Sequence, residues 1–179
     1  MMIPTPPFLA AEYRIKFAAS RWEREGANTL REQVFSAEQK LFPGSDQDAI
    51  DAYAIPIVAL AMLGVAPDKV VGTVRIHEET PGTWWGSRLA VDADYRRIGA
   101  LGATLIRLAV SSAHAMGCHT FLAHVQEQNA LLFRRLHWRV LEEVELHGRR
   151  HLRMQADLGH YPPCHSPEIG FTALPRKAA

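Results

Sequence analysis

The chain has few of the features that mark secreted, membrane-spanning or nucleic-acid-binding proteins. It has two cysteines among 179 residues, Cys118 and Cys164, and two scattered thiols do not form the disulfide framework of a small secreted protein. The net charge is only +1, so no global field attracts nucleic acid or an anionic membrane. We therefore expect neither as a partner, and an anionic ligand would need a local site.

Long apolar runs are also missing. The longest, residues 54–65, is too short to span a bilayer and is followed by the turn signal Pro67-Asp68. The first residues lack the basic region and apolar stretch of a signal peptide. These absences predict a cytoplasmic protein with reduced thiols.

The chain does have a regular succession of strand and helix patterns. The predicted order is strand 13–18, helix 22–41, strands 55–63, 70–77 and 84–91, helix 99–116, strand 119–125, helix 129–136, and strands 140–146 and 151–158. Hairpins followed by a strand–helix–strand unit predict an α/β (α+β) fold, with a mixed, mostly antiparallel sheet and helices on both faces. We expect the domain at 12–158, a flexible lead-in at 1–11 and an irregular tail at 159–179.

The most informative stretch is the junction at residues 88–108, where a strand ends and a helix begins. Arg96 and Arg97 lie there with Gly99 and Gly102. The first N–H groups of a helix lack internal partners and carry partial positive charge, and glycine lets a phosphate approach the backbone. The junction therefore predicts an anion site that would fit a pyrophosphate, although the same residues taken alone would also suit an ordinary surface loop.

This junction resembles the coenzyme A loop of the GNAT acetyltransferase superfamily. In that motif an arginine or glutamine precedes small residues that wrap the pyrophosphate. The register beginning at Arg97 gives Ala100 and Gly102 at the small positions and keeps the apolar face of the helix intact. The register beginning at Arg96 gives Gly99 but then Leu101, which is too large, so the Arg97 register is preferred.

The resemblance continues in order over residues 12–158. Residues 70–75 resemble the third strand of the family, 92–96 its link into the loop, and 121–138 its fifth strand and following helix. Residues 30–39 resemble the first helix of some members. The segments 84–91 and 158–163 further resemble a bacterial subfamily linked to nitrogen-starvation gene clusters.

The resemblance implies an acetyltransferase that moves an acetyl group from acetyl-CoA directly to the amine of a small-molecule acceptor in a ternary complex. It implies that strands four and five splay apart and that the pantetheine arm pairs with the strand-four backbone. The donor-binding residues that it implies are Leu89, Ala90, Val91, Arg96, Arg97, Ile98, Gly99, Ala100, Leu101, Gly102, Ala103, Asn129 and Phe133.

Phe133 departs from the family pattern. Many relatives have a tyrosine there that protonates the leaving thiolate, and phenylalanine has no proton to give. The thiol of coenzyme A is acidic enough to leave unaided, so the departure excludes a tyrosine-dependent mechanism and not activity. It favours one alternative, a non-catalytic acyl-CoA-binding sensor or accessory module. A second alternative is an enzyme like the acyl-homoserine lactone synthases, which share the fold and an early arginine-phenylalanine helix, but the pyrophosphate loop disfavours it.

The candidates for the general base are His124, near the end of strand five, and Glu127, which follows it. Either could take the proton of an ammonium group, although a sheet histidine and a solvated loop carboxylate are the competing structural interpretations. His77 and Glu79 are weaker candidates. Alternation places the neighbouring Trp84 and Trp85 on opposite faces, one in the core and the other as a wall of the acceptor pocket.

The remaining histidines and cysteines do not predict a metal site, because they lack the close spacing of a zinc motif. The oligomeric state is not fixed by the sequence, and a homodimer is one alternative.

Overall fold

Eight strands of the chain form one continuous sheet in the order β6-β7-β5-β4-β3-β2-β1-β8. The computed structural model describes residues 10–97 and 100–175. The strands are β1 Tyr13–Phe17, β2 Ile55–Leu63, β3 Ala66–Thr80, β4 Thr83–Val91, β5 Thr120–Gln126, β6 Trp138–Leu146, β7 Arg149–Ala156 and β8 Phe171–Ala173. Of the neighbouring pairs in these residues, β4 and β5 are parallel and the others are antiparallel. The predicted fold class is confirmed.

Strand β2 shows how helices cover both faces of the sheet. Its odd-numbered residues 57, 59 and 61 are buried in the main core with α2, Leu101–Ala115. Its even-numbered residues 58, 60 and 62 are buried with Ala27 of α1, Arg21–Arg31. A strand buried on both faces has no polar side to show, which explains the apolar run at this position.

Helix α1 begins with a reciprocal cap and ends in a change of helix type. The Ser20 hydroxyl accepts from the Glu23 backbone N–H, and the Glu23 carboxylate accepts from the Ser20 N–H. Beyond Arg31 the chain continues as a π-helix, Glu32–Glu38, which buries Val34 and Phe35 beside Ala90 of β4. The predicted helix at 22–41 is therefore two segments, and widened turns of this kind have no signature in apolar spacing.

The segment after Leu158, predicted to be irregular, contributes strand β8, which pairs with β1 at an edge of the sheet. A left-handed turn at Gly170, with φ of +73°, brings the chain into this position. A Cβ at Gly170 would lie 1.7 Å from the carbonyl oxygen of Ile15, so the close approach requires glycine. Three residues are too few for alternation to reveal a strand.

The third helix, α3 Ala130–Arg135, is short and packs its Phe133 ring edge-on against Trp138 of β6. Within residues 10–97 and 100–175, no helix combines the length and the apolar character needed to cross a membrane.

Candidate active site

Strands β4 and β5 separate part-way along their length. They pair in parallel only from Thr83 with Thr120 to Gly86 with Ala123. Beyond this point β4 stays with β3 as far as Val91, and β5 stays with β7 as far as Gln126. The two strands diverge into a cleft, and residues 87–91 have no β5 partner in the described chain.

A β-bulge lies in β4 at the mouth of this cleft. Ala90 opposes Thr73 and Ser87 opposes Arg75, so Arg88 and Leu89 together face the single residue between them on β3. Arg88 has a φ of +57°, and the extra residue reverses which face of the sheet each later side chain occupies. Leu89 consequently packs towards the α2 core, while Ala90 packs beside the π-helix.

A cavity of about 350 Å³ opens beside the cleft, on the α1 side of the sheet. Its floor is made by side chains from four neighbouring strands, and its walls come from the π-helix, the segment 39–50, α3 and the β6–β7 turn. The floor residues are His77, Trp85, His124 and His151.

His124, a predicted base, lies on this floor with its ring centroid 4.8 Å from that of Trp85. The imidazole is partly exposed, and desolvation, helped by His151 and Arg153, lowers its pKa from the usual value. Glu127 is exposed, forms an ion pair with Arg150 at 3.3 Å, and is not one of the residues that line the described cavity. The geometry thus brings one of the two candidate bases to the cavity.

His77 is a better candidate for the general base than its sequence context suggests. It is 7% exposed, and its Nδ1 has no hydrogen-bond partner in the described residues. Burial, followed by the charge of Arg75, lowers its pKa. It lies directly opposite Trp85 in the strand register. Alternation on β3 puts Arg75, His77 and Glu79 on one face. This pattern could have ranked His77 higher among the candidate bases.

The two tryptophans occupy opposite faces, as alternation predicts. Trp84 is buried in the main core, whereas Trp85 lines the cavity.

A cluster of three arginines and three aspartates underlies one wall of the cavity. Arg31 bonds Asp46 at 2.8 Å and both oxygens of Asp51. The members are Arg31, Arg75 and Arg88 with Asp46, Asp48 and Asp51. Although burial opposes it, hydrogen bonds from Arg31 and Arg75 hold the pKa of Asp51 well below its usual range. Sequence analysis missed this cluster, because its partners are separated by 15 to 42 residues.

The other end of the cleft, at residues 87–97 and 100–103, is where the sequence predicts the pyrophosphate loop. Helix α2 begins after Ala100 with no side-chain cap and no acidic residue in its first turn, in contrast to the capped start of α1. At Gly102 an added Cβ would meet only Leu132, at 3.9 Å, so the backbone there is open. Leu101 and Ala103 are buried, which leaves only their backbone for a ligand. Ile98 and Gly99 lie outside the described residues.

The two arginines of the loop differ in their contacts. Arg96 bonds both carboxylate oxygens of Glu38, at 2.6 and 2.9 Å, and donates to the Val91 carbonyl oxygen. Hydrogen bonding to Glu38 raises its pKa. Arg97 is exposed. Arg96 therefore ties the loop to the end of the π-helix, and Arg97 is the arginine better placed for an incoming anion.

Among the described side chains that line the cavity, none is arranged as an activated nucleophile. Cys118 is buried elsewhere in the core, and burial raises the pKa of its thiol to about 11. Ser87 lines the cavity, but its hydroxyl accepts from Arg75 Nε at 2.8 Å. Across residues 10–97 and 100–175 no group of three histidine, cysteine or acidic side chains is arranged to hold a metal ion.

Residues 26–138 match the acetyltransferase (GNAT) family. The chain belongs to this family. It is an acyltransferase, and the GNAT family uses acetyl-CoA as the acyl donor. The predicted superfamily and donor are thereby confirmed, while the resemblance to the nitrogen-starvation subfamily stays a prediction. A comparison with curated proteins gives no match.

Solved structures with the same fold include three described as acyl-transfer or coenzyme A-bound proteins. A Lactobacillus plantarum protein assigned as an N-acetyltransferase has a TM-score of 0.71 and 21% identity, covering 80% of this chain and 97% of its own. An acyl-CoA N-acyltransferase from Pseudomonas aeruginosa has a TM-score of 0.65 and 18% identity, covering 81% and 99%. The NatC complex bound to Gag peptide and CoA has a TM-score of 0.62 and 12% identity, covering 82% and 98%. At these identities the likeness is one of fold.

Proposed function

We propose that GNAT chemistry in this protein is the direct transfer of an acetyl group from acetyl-CoA to the amine of a small-molecule acceptor, within a ternary complex. The observation that carries the proposal is the divergence of β4 and β5 beyond Gly86 and Ala123, beside a cavity of about 350 Å³. The cleft leaves strand backbone available to a donor on one side, and the cavity has room for a small acceptor on the other.

On the donor side, the N–H groups at the start of α2 and the exposed Arg97 would hold the pyrophosphate. The backbone of Leu89, Ala90 and Val91 would pair with the pantetheine arm, and Asn129 and Phe133 would flank it from the cavity wall. A backbone N–H in this part of β4 could polarise the thioester carbonyl as an oxyanion donor.

On the acceptor side, His124 would take the proton from the ammonium group, directly or through one water. The free amine would then attack the thioester carbon, the C–N bond would form, the nitrogen would lose its second proton to water, and the C–S bond would break to release coenzyme A thiolate. With a phenylalanine at 133, that thiolate would take its proton from solvent. Cys118 lies outside the cavity with a raised pKa, and no histidine or carboxylate of the described chain is hydrogen-bonded to Ser87 as a base, which favours this direct route over an acyl-enzyme.

The test is thiol release from acetyl-CoA in the presence of a panel of amines, with mass spectrometry of the products. Acetylated amine formed in step with free thiol is the expected result. Acetylated protein that forms before any product, or hydrolysis that does not depend on the amine, would contradict direct transfer.

The alternative of a non-catalytic acyl-CoA sensor is favoured by one observation, namely that Phe133 stands at the cavity wall where a tyrosine acid would act. Tight binding of acetyl-CoA without thiol release across the whole panel would support the sensor.

A further inference from the structure

The charges that face the cavity neutralise one another, with one exception. Arg75 gives both Nη groups to Asp48 and its Nε to Ser87. Arg88 gives Nε to Asp46 and Nη2 to Asp48. Glu79 lines the same cavity with an exposed carboxylate, and within the described ranges no salt bridge involves it. Counted with Arg31, Asp46 and Asp51, which lie behind the wall, the three arginines and three aspartates cancel, and Glu79 leaves this side of the cavity with one surplus negative charge.

The floor offers a flat surface beside this negative charge. Trp85 lies between His77, its partner across the strand pair, and His124, whose ring is 4.8 Å away. Indole faces attract cations and stack against planar apolar groups. Burial lowers the pKa of His77 and of His124, so neither imidazole supplies a positive charge near neutral pH to offset Glu79.

We propose, on the basis of the amine-acetylating function above, that the acceptor is an ammonium group carried on an apolar or aromatic body without a carboxylate. The ammonium end fits the part of the cavity lined by Glu79 and the two imidazoles, within reach of His124, and the body fits the face of Trp85. This class excludes free amino acids, which carry an α-carboxylate next to the amine.

A carboxylate in this cavity would have to leave water beside Asp48 and Glu79, and most arginine donors on the wall are already engaged. Desolvating an anion without a partner is unfavourable, and acidic neighbours add repulsion. Arg88 holds its guanidinium 4.7 Å from the centre of the Phe42 ring and is bonded through Nε and Nη2, and Arg75 is bonded through all three nitrogens, so few arginine N–H groups of the described wall remain for a new anion. Removing one aspartate should therefore free arginine N–H groups to bind the carboxylate of a ligand.

The experiment uses matched acceptors that differ only by a carboxylate: tyramine with tyrosine, and phenethylamine with phenylalanine. We expect kcat/KM for acetyl transfer to be at least ~10-fold higher for the member without the carboxylate. The same pairs are titrated calorimetrically into the protein with coenzyme A present, so that binding is measured without turnover.

Three variants, one of them a control, sharpen the result. Asp48→Asn keeps a side-chain oxygen that can cap the short helix Ala49–Ala52 but removes one negative charge. It should reduce the preference for the carboxylate-free member of each pair. Asp68→Asn, at the opposite end of β3 and exposed, removes the same charge and should keep the wild-type preference. Glu79→Gln should weaken binding of the carboxylate-free amines by about 10-fold and leave acetyl-CoA affinity unchanged.

The outcomes separate this inference from the proposed function. Equal or better use of the amino acids overturns the acceptor class, while acetyl transfer itself stands. Absence of turnover with selective binding of the carboxylate-free members supports the acceptor class and contradicts acetyl transfer. Absence of turnover with no binding, or with no selectivity, overturns the acceptor class.

Discussion

The two ends of the cleft differ in how many of their positively charged groups are paired with carboxylates. At the acceptor end, each of the arginines 31, 75 and 88 is bonded to aspartate. At the donor end, α2 begins without a side-chain cap or an acidic residue, and Arg97 is exposed. Unsatisfied N–H groups attract anions, whereas paired guanidinium groups do not. The difference supports the two proposals made above, a phosphate-bearing donor at one end and an acceptor without negative charge at the other.

The largest effect that would break this comparison is expected at Gly102. Gly102→Val places a branched side chain where a phosphate must approach the backbone, and we expect acetyl-CoA binding to weaken by ~100-fold or more in calorimetry. The fold should hold, since an added Cβ there meets only Leu132 at 3.9 Å. Gly102→Ala is the graded control, with an intermediate loss. Wild-type affinity in Gly102→Val would show that the donor lies elsewhere.

The next largest effect is expected at the acceptor end. His124→Ala should lower kcat by about 10²–10⁴-fold and leave acetyl-CoA affinity unchanged, because only the free amine can attack. Since the pKa of His124 is lowered, the acid limb of the pH profile should have its midpoint below ~6.5 and disappear in the variant. His77→Ala, measured in parallel, asks whether the other imidazole is the base. Full turnover in both variants would leave neither with that role.

The stability of the acceptor wall provides a third test. Asp46→Ala removes the shared partner of Arg31 and Arg88 and leaves three arginines facing two aspartates; because Arg31 is 5% exposed, this uncompensated buried charge should cost about 3–5 kcal/mol of unfolding free energy. Denaturant unfolding measures it, with Asp68→Asn as the surface control. A free energy of unfolding equal to that of the wild type would mean that the cluster contributes nothing net.

The smallest effect is expected at Phe133. Phe133→Tyr restores a proton donor at the cavity wall and should leave kcat equal or higher. Phe133→Leu keeps the position apolar and serves as the control for lost packing against Trp138. A fall in kcat for the tyrosine variant with full stability would indicate that the hydroxyl does not face the leaving thiolate.

Most of the sheet could be predicted from the sequence, because β2, β4 and β5 carry strong local patterns of apolar residues and turns. The donor junction was also visible, since glycine, arginine and a helix start are adjacent in the chain. The π-helix was not, as its hydrogen bonds shift by one residue without changing which side chains are apolar.

The acceptor wall could not be predicted for a different reason. Asp46 and Arg88 are bonded although 42 residues separate them in the chain, and no local sequence pattern near either residue predicts the contact. His77 and His124 look alike in sequence, each on a strand. Their exposure and neighbours differ only once β3, β4 and β5 are assembled.

The bulge at Arg88 makes β4 a strand with two phases. Before it, the side chains of the odd-numbered Trp85 and Ser87 line the cavity. After it, the odd-numbered Leu89 borders the cavity but packs against the α2 core, and Ala90 packs beside the π-helix. A single-residue deletion at this point would move each later side chain of β4 to the opposite face of the sheet, although the residue types would stay the same. Among homologues, a gap of one residue here therefore changes which positions correspond, and an alignment that ignores it would compare wall residues with core residues.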